Sequence, residues 1–107
     1  MPTAQEQQVL LDLRRGLESL YGDRLADLIL FGSRARGDAD TDSDYDVLVV
    51  LRGDVDVNSE FVRTSEPVGA ICLHHDVLIT CVYVSESDFQ YGASPLMLNV
   101  RAEGVTL

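Results

Sequence analysis

Residues 28–51 read LILFGSRARGDADTDSDYDVLVVL, and the reading of this stretch decides the fold. One apolar run ends at Gly32-Ser33, ten residues intervene, and Asp44-Tyr45-Asp46 opens a second apolar run. The spacing predicts a buried strand over 25–31 and a second over 45–51. The second is nearly continuous in Val and Leu, as expected of a strand covered on both faces. Ser33 is placed to cap a short helical turn through Arg36, and Gly37 releases it. A polar, Asp-rich loop then runs from Gly37 to Ser43.

Working toward the N-terminus, Thr3-Ala-Gln-Glu6 is a capping-box pattern. Val9, Leu10, Leu13, Leu17 and Leu20 recur at helical spacing and Gly22 supplies a stop, so a helix is expected over Ala4–Tyr21. Its apolar stripe reads as a core face. Toward the C-terminus, Asn58 or Ser59 caps an expected helix that Pro67 must kink or split. Residues 76–84 read as a third strand, rich in β-branched side chains. Ser85-Glu-Ser-Asp88 starts another helix. Ser94-Pro95 starts a last one, Gly104 ends it, and residues 105–107 form a short closing strand. The expected fold class is α/β (α+β): a small mixed β-sheet flanked by helices, in a single domain over residues 1–107.

Composition narrows the function. The chain has 107 residues, 46% hydrophobic, which is enough for one core. Eighteen acidic against 8 basic residues give a net charge of −10, and every basic residue is arginine. Such a balance argues against broad binding to nucleic acid or anionic membranes, and suits divalent cations or a basic partner. The longest apolar runs are strand-sized, so none is expected to span a bilayer, and the N-terminus lacks a secretory signal pattern. Cys72 and Cys81 lie among apolar residues outside any Cys-x-x-Cys spacing, which reads as buried free thiols in a cytoplasmic protein. Arg52-Gly53-Asp54 reads as an edge or turn, not an adhesion motif.

The chemistry lies in the opening stretch. Asp44 and Asp46 are two apart at the start of a strand, so both project from one face, about 7 Å apart at Cα. Two carboxylates so placed repel unless a cation joins them. Mg²⁺ is the natural ion, since it takes hard oxygen ligands and typically combines one or two carboxylates with substrate phosphates. Gly32 allows close backbone approach, and Ser33 at a helix start offers amide donors and a hydroxyl to a phosphate. A phosphate cradle facing an acidic metal site describes a nucleotidyl-transfer centre. Arg34 and Arg36 project from the same turn and are candidate triphosphate clamps, against the alternative of solvated or Asp-paired arginines. Tyr45 faces the other way, into the core. An EF-hand fails in all three registers of the alternating aspartates, for want of Gly at position six and Glu at position twelve. Asp38, Asp40 and Asp42 read as loop solvation, and His74 and His75 lack metal-ligand spacing.

Gly32-Ser33, ten residues, then Asp44-x-Asp46 resembles the signature of the DNA-polymerase-β-like nucleotidyltransferases, and the small size resembles their minimal members. The likeness extends through LADLILFGSRARGDA, DYDVLVVL, VYVSESDF and SPLMLNVRAEGV, most of the chain from Tyr21 onward. It implies a nucleotidyltransferase fold, Gly32 and Ser33 at the triphosphate of ATP, and Asp44 and Asp46 on Mg²⁺. It also implies a third carboxylate on the next strand. Asp76 is the only acid in the expected third strand, and it shares a face with Thr80 and Val82. Counted back from Ser85, however, the family's acid position falls nearer Val82. The third carboxylate is therefore Asp76, or the site has only two. Minimal members are commonly paired with a helical HEPN-domain toxin, which they silence as antitoxins, some by transferring AMP from ATP to a toxin tyrosine. Two other readings are a domain that neutralises its partner by binding, and a transferase acting on a small molecule such as an antibiotic.

Overall fold

A computed structural model describes residues 3–40 and 42–107; Thr41, inside the expected polar loop, lies outside the described residues. The elements run α1 (Ala4–Tyr21), β1 (Leu25–Phe31), α2 (Ser33–Arg36), β2 (Tyr45–Leu51), α3 (Val57–His75), β3 (Ile79–Ser85), α4 (Glu86–Tyr91), α5 (Pro95–Glu103) and β4 (Val105–Thr106). The four strands form one mixed sheet in the order β3-β2-β1-β4. β1 pairs antiparallel with β2 and β4, while β2 pairs parallel with β3 through the α3 crossover.

Alternation along β2 divides the core. Tyr45, Val47, Val49 and Leu51 face α1 and α3, where they pack with Val9, Leu13 and Leu17 of the α1 stripe. Leu48 and Val50 face α4 and α5, beside Ile29, Met97 and Val100. Residues Val47 through Leu51 are fully buried, which explains why the sequence shows no alternation there.

Several boundaries depart from expectation. The helix after β2 starts earlier, because Asp56 is its cap and accepts from the amides of Asn58 (3.1 Å) and Ser59 (3.4 Å). It then continues through Pro67 as one 19-residue helix instead of splitting. Packing of Val68, Ile71 and Cys72 against the α1 core carries it past the missing hydrogen bond. The third strand begins at Ile79, not Asp76. Asp76 instead caps α3 in the left-handed conformation (φ 54°), a role a short polar side chain tolerates.

A buried polar network joins α1 to α3. Glu60 is 2% exposed and accepts from the Tyr21 hydroxyl (2.8 Å) and the Arg24 guanidinium (2.9 Å), with Arg63 at 3.7 Å. Thr64, one turn on, is hydrogen-bonded to the Tyr83 hydroxyl. Burial works against ionising Glu60, yet the hydrogen bonds from Arg24 and Tyr21 outweigh it and hold the carboxyl below its ordinary range. A depressed folded pKa stabilises the fold above the unfolded value, about pH 4.3, and that contribution is lost as pH falls below it. Glu60→Gln is expected to cost about 2–3 kcal/mol at pH 7. The deficit should shrink toward pH 3, as chemical denaturation at the two pH values will show. An equal deficit at both would place the cost outside the carboxylate's charge.

Candidate active site

Strand register builds the site. Phe31, the last residue of β1, pairs with Asp46 on β2, so the chain leaving β1 turns beside the two aspartates. Gly32 makes that turn with φ 75° and ψ −157°, a region essentially reserved for glycine. A Cβ at this position would collide with the Asp46 Oδ2 atom and lie 3.3 Å from its Cγ. The turn is therefore packed against the carboxylate with no room for a side chain. Ser33 is the first residue of α2, not its cap; Gly32 is the cap, and its carbonyl accepts from the amides of Ala35 and Arg36, both at 3.1 Å. The start of this turn therefore lies against the Asp46 carboxylate.

Asp46 alternates with Leu48 and Val50 and so projects on the α4/α5 side of β2, and Asp44 immediately precedes the strand. Asp44 is exposed and Asp46 is partly buried. Burial pushes the Asp46 carboxyl above its ordinary pKa, the Asp44 charge pushes it further, and Arg36 opposes both. Arg36 is itself tethered to Asp38 (3.2 Å) and to Glu103 at the end of α5 (3.6 Å). Glu103 was not a candidate from sequence, since nothing marks it until α5 folds back beside α2.

Arg34 is positioned differently from the expected clamp. Its side chain is 8% exposed, lies over the Tyr45 ring at 4.0 Å and pairs with Glu6 at 2.8 Å. It also donates to the Ser43 carbonyl at 2.9 and 2.7 Å. It thus ties Ser43 to the start of α1, on the Tyr45 side of β2. Asp40 is also structural: its carboxylate accepts from the Asp42 amide (2.9 Å) and the Ser43 hydroxyl (3.2 Å).

Asp76 is not brought onto β3 beside Asp46. The register places Thr80 across from Asp46 and Val82 across from Leu48, so β3 carries no acid. Asp76 lies beyond the strand's start, exposed, in a depression shared with Asp42 and Ser43.

The family model for the nucleotidyltransferase domain matches residues 10–88, which include the Gly32-Ser33 turn, both aspartates and all of the β1–β3 sheet. The chain belongs to the nucleotidyltransferase domain family. Two relatives from Methanocaldococcus jannaschii each carry the name "putative protein adenylyltransferase". One is 36% identical over 84 residues, covering 78% of each chain. The other is 30% identical over 73 residues, covering 68% of this chain and 73% of its own. A crystal structure of a "putative nucleotidyltransferase" from Sulfolobus solfataricus superposes with a TM-score of 0.65 at 20% identity. It covers 95% of this chain and 81% of the other, and so supports the fold.

A nucleotidyltransferase uses a nucleoside triphosphate and a divalent cation, and the residues present fit both. The two carboxylates, whose charges disfavour one another, gain from a cation between them, and Gly32, where a Cβ would meet Asp46, brings the start of α2 close against them. No described helix is long and apolar enough to cross a membrane.

Proposed function

We propose that this nucleotidyltransferase is a Mg²⁺-dependent protein adenylyltransferase that acts in the cytoplasm as an antitoxin, moving AMP from ATP to a tyrosine of a HEPN-domain toxin. The observation that carries the chemistry is the contact of the Gly32 turn with the Asp46 carboxylate. It holds a phosphate cradle and a pair of metal-binding acids in one place. The names of the two Methanocaldococcus relatives support a protein as acceptor. So does an apolar groove of about 370 Å³ between α3 and the open edge of β3, with Phe61 at its rim 65% exposed.

The roles follow from the geometry. The amides opening α2 and the Ser33 hydroxyl bind triphosphate oxygens, and Asp44 and Asp46 hold Mg²⁺. When bound, the ion offsets negative charge on the phosphates as it develops. Arg36, at the same end, adds positive charge that Glu103 and Asp38 keep oriented. The acceptor tyrosine oxygen forms a bond to the α-phosphorus, the bond to pyrophosphate breaks, and the tyrosine proton passes to water. With Thr80 across from Asp46, β3 offers no acid to take that proton.

The test is co-expression with a HEPN-domain partner, then incubation with ATP and Mg²⁺. Intact-mass spectrometry should show the partner heavier by one or more AMP units. An unmodified partner under conditions where ATP is bound would defeat the protein-acceptor reading. Asp76→Asn should retain activity within about threefold, since Asp76 caps α3 and is not carried on β3 across from Asp46. A loss of 100-fold or more in single-turnover rate would restore Asp76 as the third carboxylate.

The acid-free β3 also favours a second reading, in which the domain neutralises its partner by occupying it through the α3/β3 groove. Rescue of toxin-expressing cells by a chain unable to transfer AMP distinguishes the two.

A further inference from the structure

A second cluster of ligand-type side chains lies across the sheet from the aspartate pair, where α1 meets the end of α3. Asp12 of α1 and His74 and His75 of α3 bring one carboxylate oxygen and two imidazole nitrogens within 4.8 Å of one another. The His75 Nε2 atom is 2.7 Å from Asp12 Oδ2, and its side chain is 11% exposed. The His74 ring is exposed and meets the His75 ring edge-on, with centroids 4.7 Å apart and planes at 82°. The Gln8 amide donates to the other Asp12 oxygen at 3.2 Å, which fixes the carboxylate's orientation as an outer partner does at metal sites.

We propose that Asp12, His74 and His75 form a binding site for a transition-metal ion of the Zn²⁺ class, one that links α1 to α3. Two imidazoles and a carboxylate are a common three-ligand zinc set, leaving the fourth tetrahedral position to water. Ligand bonds of about 2.1 Å at tetrahedral angles put donor atoms roughly 3.4 Å apart. The Asp12–His75 contact must therefore open by only about 0.7 Å, and the exposed His74 ring closes in by rotation. The donor set also separates this ion from Mg²⁺, which prefers oxygen ligands and keeps its waters. The site is independent of the proposed transferase reaction. Its ligands sit on the α1/α3 layer, whereas Asp46 faces the α4/α5 side and Asp44 precedes β2.

The test is calorimetric titration of chelator-stripped protein with ZnCl₂ in excess Mg²⁺, with thermal unfolding recorded alongside. Wild-type protein is expected to bind one Zn²⁺ per chain and to gain thermal stability from it. His74→Ala alters an exposed side chain and leaves the fold in place. It should weaken Zn²⁺ binding at least tenfold, as should Asp12→Asn. A chain with Asp44→Asn and Asp46→Asn should bind Zn²⁺ as wild type does. Unaltered affinity in His74→Ala, loss of binding in the Asp44/Asp46 variant, or no Zn²⁺ binding by the wild type would each overturn the proposal.

Discussion

Replacing both Asp44 and Asp46 with asparagine is expected to lower AMP transfer by about a thousandfold or more while leaving the protein folded. Charge stabilisation at a metal-assisted phosphoryl centre amounts to several kcal/mol, and each 1.36 kcal/mol is about tenfold in rate. The fold should not suffer. Asp44 is exposed, and Asp46 is a partly buried carboxylate that its neighbour's charge disfavours. Asparagine keeps the shape and removes the repulsion, so the melting temperature without Mg²⁺ should hold or rise by a few degrees. The same variant should lose any stabilisation that Mg²⁺ confers on the wild type. Transfer rate measured by partner mass, together with melting curves with and without Mg²⁺, reads all three effects. Transfer within tenfold of wild type would mean the acids do not form the metal site.

The second large effect is expected at Gly32, with Gly37 as its control. Gly32→Ala forces a side chain into a glycine-only conformation, at about 1–3 kcal/mol, and drives the new methyl into the Asp46 carboxylate. The turn and the acid must separate, and misplacement of about 1 Å at a reacting centre lowers rate on the order of 100-fold. Gly37 also has positive φ, at 81°, but a Cβ there meets nothing within 4 Å. Gly37→Ala should therefore cost about 1 kcal/mol and leave transfer nearly intact. Equal transfer rates in the two variants would show that the Gly32–Asp46 contact does not set the geometry.

Much of this arrangement is legible in the residues, and the reasons it stops are local. The helix over Ala4–Tyr21 and the strands over 25–31 and 45–51 form as the spacing predicts, because capping, periodicity and burial agree at each. β3 starts later than its β-branched pattern predicts, because Asp76 adopts a left-handed cap that glycine more often announces, and the strand therefore carries no acid. Arg34 and Arg36 are alike in sequence, but a four-residue turn sends one over Tyr45 and leaves the other near Asp46. No local pattern separates them. The Asp12–His75 contact spans 63 positions in the chain and appears only when α1 packs on α3. Glu60 presents as an ordinary helix-start acid until Tyr21 and Arg24 close around it.

The layout of β2 has a genetic consequence. Residues 47–51 are wholly enclosed and carry the sheet's stability, while Asp44 and Asp46 lie at the strand's open end. Rigidity and reactivity thus occupy successive segments of one strand and answer to different substitutions. A lineage can lose its chemistry through changes at two positions and still present an unaltered surface along α3 and β3. Nucleotidyl transfer and binding through that surface are then separable traits of a single scaffold, and one can outlast the other.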